Sequence, residues 1–158
     1  MKTTISEKTV LLTRKGIKEL KKSIAQLEHD KNKILQYLRE SDKTFTREDR
    51  LDRVEKLSIL EGVESEISDK KLILENAQLL PKKQTKLQVT IGSVVELIDK
   101  YGHPFRYMIV DSIEADPSDG KISILSPLGR NLVGKTVRDI IEWSNGKNSN
   151  QLQLVRIL

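Results

Sequence analysis

The chain has 158 residues, 37% of them hydrophobic and 32% charged, with a net charge of +5 and no cysteine. This length suits one ordinary domain or two small ones, and this polarity suits an elongated helical part beside a small aliphatic core. Disulfides, thiolate metal sites and cysteine nucleophiles are excluded, and the two histidines, His29 and His103, leave no histidine-rich zinc site.

The start, MKTTISEKTV, lacks a signal-peptide apolar region, and no apolar run approaches the roughly 18–20 residues of a membrane span, so a soluble, cytoplasmic protein with no membrane partner is expected. From Gly16 to about Ser41 apolar residues recur at alternating steps of three and four: Ile17, Leu20, Ile24 and Leu27, then Lys31 as a polar break, then Ile34 and Leu38. That narrow seam predicts a helix packed along one partner helix, with Thr13 able to cap its start. Residues from Arg47 to about Leu79 carry a second seam through Leu60, Val63, Ile67 and Leu74, interrupted by Lys70. Two such helices joined by a short polar segment most simply form an antiparallel hairpin, and the two seam lysines favour an intramolecular pairing, hence a monomer.

The joint lies in SDKTFTREDRLDRVE, residues 41–55, where Asp42, Glu48, Asp49 and Asp52 cluster. With Thr46 as a cap, Glu48 and Asp49 fall in the first helical turn, where acids complement the helix dipole. Asp49 can pair with Arg53 and Glu48 can repel Asp52, each at i,i+4. A purely structural role accounts for all of this. The functional alternative is that carboxylates at a tip supply oxygen ligands to a divalent cation held elsewhere. Phe45, an aromatic at a polar bend, either touches a partner or folds back over Leu51.

Pro81–Lys86 ends the helical pattern as a linker. Beyond it the period becomes two, and strands are predicted over 93–99, 105–114, 121–125, 136–143 and 151–157, separated by Gly, Pro and Asn turns. Between the third and fourth lies SPLGRNLVGK, residues 126–135. Ser126 fits an N-cap, Pro127 the first helical position and Gly134 a C-terminal stop, which predicts a helix of one to two turns. The resulting α+β organisation is a helical hairpin over 1–80 with its tip at about 42–48, a linker over 81–86, and a small antiparallel β domain over 87–158. No Gly-rich phosphate loop or histidine-based catalytic set is present.

This order of parts resembles the GreA/GreB transcript-cleavage factors of bacterial RNA polymerase over nearly the whole chain. SPLGRNLVGK is similar to the family signature before its penultimate strand, LTRKGIKEL at 12–20 to the family's N-terminal motif, and ENAQLL at 75–80 to its hairpin end. The resemblance implies an FKBP-like β domain that docks on the polymerase through Ser126, Pro127, Leu128 and Arg130. It also implies a coiled coil entering the secondary channel, where tip acids help hold Mg²⁺ at the polymerase's own active centre and cleave backtracked RNA. The factor would then be no enzyme alone and would need no cofactor of its own. Glu48 and Asp49 are the candidates to assist catalysis, and Asp42, Asp49 and Asp52 to share the Mg²⁺. Any RNA contact would be confined to the 3′ end inside the polymerase. The tip lacks the family's usual acid string: Asp49 and Asp52 are three residues apart but lie on the wrong side of the helix start, and any register recovers only one family acid, Glu48 or Asp49. Two alternatives therefore stay open: a factor of the same fold that occupies the channel without stimulating cleavage, and a coiled-coil adaptor. An FKBP-like prolyl isomerase would need an aromatic-lined pocket, and the β half offers only Tyr101, Phe105, Tyr107 and Trp143.

Overall fold

The structure, a computed structural model, describes residues 9–41, 46–81, 86–145 and 148–158. It divides into two compact units, one built on Lys15–Ala77 and one that joins Thr9–Arg14 to Gln78–Leu158.

The first unit is the expected hairpin of α1 (Arg14–Glu40) and α2 (Arg47–Glu75). Leu20, Ile24, Leu38 and Ile67 of the predicted seams are buried, with Leu27, Ile34, Leu60, Val63 and Leu74 half-buried. Polar rungs fix the antiparallel register: Lys71 with Glu28 at 2.7 Å, Lys31 with Glu64 at 2.8 Å, and the Arg53 guanidinium donating to the Leu38 carbonyl at 3.1 Å. The break at Lys31 is thus an ion pair between the helices, whereas Lys70 pairs with Glu66 on its own helix at 3.5 Å. These pairs are partly solvated and contribute no more than about 1 kcal/mol each, so they select register more than they supply stability.

The second helix was expected to run to about Leu79, but it stops at Glu75. Asn76 caps it, and Ala77–Leu79 form β2, which pairs with β1 (Val10–Leu12) in a two-stranded sheet. Leu80 continues the ladder by donating its N–H to the Leu12 carbonyl at 3.0 Å. Beside β1, the N–H and hydroxyl of Thr13 both donate to the Glu114 carboxylate, at 2.8 and 2.5 Å.

The second unit carries a five-stranded sheet in the order β5-β4-β3-β7-β6, with β3 Val94–Asp99, β4 Pro104–Val110, β5 Lys121–Ser123, β6 Ile140–Asn145 and β7 Asn148–Ile157. All neighbours are antiparallel except β4 and β5. Val95 and Leu97 of β3, Ile109 of β4, Ile141 of β6 and Leu152 and Leu154 of β7 form one apolar layer, closed by Leu132 from the short helix α3 (Pro127–Leu132). Alternation along the strands places these residues on one face, as the period-two pattern requires.

Several predicted strands are cut back at one end; the one expected over 121–125 stops at Ser123. The one expected from residue 105 to 114 ends at Val110, where the Asp111 carboxylate takes the N–H of Ile113 and turns the chain. The one expected from residue 136 starts only at Ile140. Thr136–Asp139 is instead a turn: the Asp139 carboxylate accepts the Thr136 N–H at 2.8 Å and its hydroxyl at 3.1 Å, and Arg138 takes φ 82. Among the described residues no helix is long and apolar enough to cross a membrane.

Candidate functional site

At the hairpin tip the backbone of Thr46 is extended (φ −75, ψ 163), which frees its hydroxyl to accept the Asp49 N–H at 3.2 Å. The Asp49 carboxylate reaches back to the Thr46 N–H at 3.0 Å, completing a reciprocal capping box that satisfies donors a helix start leaves open. The Thr46 hydroxyl also bonds that carboxylate. This hydroxyl bond, followed by the backbone one, holds the Asp49 carboxyl below its usual range against a slight desolvation. Asp49 is therefore a structural acid first, with one oxygen left outside these bonds.

Asp52 is engaged from the other helix, where the Tyr37 hydroxyl donates to its Oδ2. That bond pushes the Tyr37 phenol above its ordinary value, with burial and the charges of Asp52 and Asp49 adding to it. Lys56 lies 5.6 Å from the centre of the Tyr37 ring. Glu48 differs from both: it sits exposed in the first turn of α2 and makes no hydrogen bond or ion pair among the described residues. Asp42 and Phe45 lie outside the described residues. The described residues contain no group of three acids or histidines able to hold a metal by themselves. What they offer is one exposed carboxylate, Glu48, and two carboxylates each tied by neighbours, Asp49 and Asp52. Tyr37 had no signal in the sequence, because only the pairing of the helices brings it to Asp52.

In the second unit SPLGRNLVGK folds as predicted. Ser126 is extended (φ −66, ψ 157) and its hydroxyl accepts the Gly129 N–H at 3.0 Å while donating to the Ser123 carbonyl at 2.7 Å. Pro127 occupies the first turn, and Gly134 leaves the helix with φ 80, the left-handed geometry that favours glycine. The four candidate docking residues separate by exposure. Ser126 is engaged in the cap and Leu128 packs against the core, while Pro127 and Arg130 are exposed.

Residues 84–158 match the family model for the C-terminal part of transcription elongation factors GreA/GreB. The chain is 31% identical over 137 residues to transcription elongation factor GreA of Thermoanaerobacter pseudethanolicus, covering 85% of this chain and 87% of that protein. It is 32% identical over 152 residues to transcription elongation factor GreA of Chlorobium phaeobacteroides, covering 94% and 96%. Among solved structures, GreA factor homolog 1 (Gfh1) of Thermus thermophilus is 27% identical, covering 94% of this chain and 98% of that one, with a TM-score of 0.42.

Proposed function

Because the chain belongs to the GreA/GreB family of transcription elongation factors, we propose that it binds RNA polymerase, enters the secondary channel with its hairpin, and stimulates cleavage of backtracked RNA by the polymerase's own active site. The observation that carries this reading is Glu48, an exposed carboxylate with no internal partner in the first turn at the hairpin tip. Oxygen donors are the ligands a hard divalent cation takes, and Mg²⁺ binds through few protein carboxylates. In this reading Glu48 is the primary oxygen donor, and Asp49 and Asp52 contribute the oxygens left outside their bonds to Thr46 and Tyr37. Asp42 belongs to the same group of candidates. These carboxylates would help hold a Mg²⁺ shared with the polymerase, which would supply an activated water for hydrolysis of the RNA phosphodiester. The protein's own part is positioning: the capping box fixes the first turn of α2, and the Tyr37–Asp52 bond fixes it against α1. Docking falls to Pro127 and Arg130, shaped by Ser126 and Leu128 beneath them. A cytoplasmic monomer whose only RNA contact is at the 3′ end inside the polymerase completes the proposal.

A second reading, occupancy of the channel without cleavage, is favoured by the internal engagement of Asp49 and Asp52 and by Arg47, Arg50 and Arg53 among the acids. Nearby cations lower the local negative charge available to a shared metal. RNA cleavage in backtracked elongation complexes at fixed Mg²⁺ separates the two. The expected result is an acceleration of at least about tenfold, or ~1.4 kcal/mol of barrier, that Glu48→Ala loses. Binding without acceleration would establish the second reading, and no binding to polymerase would leave the adaptor.

A further inference from the structure

The turn that replaces the start of the expected fourth strand places a long cation where the backbone favours glycine. Arg138 has φ 82, a left-handed conformation that side chains other than Gly, Asn and Asp rarely adopt. The surrounding backbone imposes it: the Arg138 N–H donates to the Leu154 carbonyl at 2.8 Å, the Leu154 N–H to the Asp139 carbonyl at 2.9 Å, and the Thr136 N–H to the Asp139 carboxylate at 2.8 Å. Glycine would meet these demands with less strain. Yet the Arg138 guanidinium makes no hydrogen bond or ion pair among the described residues, so no internal contact accounts for it. An observed backbone outlier of this kind is a reason to look for function.

Its surroundings supply one. Val137, 42% exposed, and Leu87, 80% exposed, line an open cleft of about 610 Å³ with Lys86, Gln88 and Thr136. Lys86 is exposed and also without a partner among the described residues, while the nearby acid, Asp139, is engaged by Thr136. The cleft continues the candidate docking segment, since the Val89 N–H donates to the Lys135 carbonyl at 2.9 Å and the Gly134 N–H to the Val89 carbonyl at 2.8 Å. Two apolar side chains with unpaired Lys86 in the lining, and exposed Arg138 next in the chain to Val137, match an acidic stretch that carries an apolar residue.

We infer that residues 86–88 and 136–138 form a second docking surface, continuous with the end of α3, that receives an acidic, apolar-bearing segment of the RNA polymerase. This rests on the polymerase-binding reading above and adds residues to it. Arg138 makes the charge contact and Leu87 the apolar one.

The test is competition binding of the full chain to its cognate core RNA polymerase, with a thermal melt of each variant. Arg138→Gly removes the cation and the strain together. It is expected to bind about 5–10-fold more weakly while its melting midpoint holds or rises; Arg138→Lys keeps the charge and retains most of the binding. Leu87→Ser is expected to lose about 3–10-fold with no change in melting. Binding by both Arg138→Gly and Leu87→Ser within about twofold of wild type overturns the inference, as does a joint fall in binding and melting for Arg138→Gly, which marks a structural arginine. If Leu87→Ser instead abolishes self-association in sedimentation, a second copy of the chain is the occupant and the inference falls. Wild type that fails to bind polymerase removes the underlying reading itself, a result distinct from all of these.

Discussion

At Gly129, in the middle of α3, an added Cβ would lie 2.0 Å from the Ser123 carbonyl oxygen and 2.9 Å from the Ser126 hydroxyl. The obstacle is backbone on one side and the capping hydroxyl on the other, so neither can yield without undoing the cap. Gly129→Ala should lower stability by roughly 2–3 kcal/mol, read from the melting of Trp143 fluorescence in the sheet unit. Gly62 is the opposite case: it lies inside α2 with nothing near its Cβ position, so Gly62→Ala should raise the stability of the hairpin by about 0.5–1 kcal/mol by far-UV circular dichroism. Aspartates held in hydrogen-bonded turns and caps, Asp49, Asp116 and Asp139 among them, set the acid limit. The Thr46 hydroxyl lowers the carboxyl of Asp49, the Ser118 hydroxyl that of Asp116, and the Thr136 N–H that of Asp139, all from an ordinary value of 3.8. Because the folded values are depressed, the stabilisation is complete above the ordinary value and is lost as pH falls through the lower folded ones. Melting should therefore be insensitive to these groups near neutral pH and decline below about pH 4. A melting midpoint that stays flat to pH 2 would contradict the assignment.

Helices, strands and their ends were legible to different degrees for physical reasons. The seams of α1 and α2 could be read because burial against a single partner helix enforces the three-four spacing, down to the break at Lys31. Ser126, Pro127 and Gly134 announced α3, since each meets a local demand of a helix end. The end of α2 was misread because Ala77–Leu79 is apolar enough to continue a helix, and its strand partner Val10–Leu12 lies far away in sequence. The turn at Thr136–Asp139 was hidden in a run with β-branched residues and neither Gly nor Pro; the Asp139 carboxylate makes it by accepting from Thr136, with the Asp139 N–H donating back to the Thr136 carbonyl. At the tip, sequence could list the acids but not sort them, because Tyr37 meets Asp52 only once the helices pair. Burial gives a direct check on the seam. Ile67, 8% exposed, should lose about 2–4 kcal/mol of hairpin stability on substitution by alanine, whereas Leu51→Ala and Val54→Ala, each 65% exposed, should stay within about 0.5 kcal/mol. Thermal denaturation of the three variants side by side would decide it.

On the scale of the molecule, the division into units does not follow the order of the chain. Thr9–Arg14 belongs with the sheet unit although the whole hairpin separates it from that unit in sequence. Leu12, fully buried, should therefore report on the sheet unit: Leu12→Ala is expected to destabilise it by about 2–4 kcal/mol and to accelerate hydrogen exchange there before any change in α1 and α2. Protection lost first in the helices would show that Leu12 serves the hairpin instead. The pairing of β1 with β2 also closes a loop in the path of the chain: the two strands lie side by side, and everything between them is the arm. An arm spliced between two paired strands can change length without moving its points of attachment. Removing seven residues from each helix keeps the seam in phase and shortens the arm by about 10 Å, while the sheet sees the same two strand ends. Helix length thus becomes an independently adjustable dimension, a gauge set in whole heptads while the pairing of β1 with β2 stays as it is.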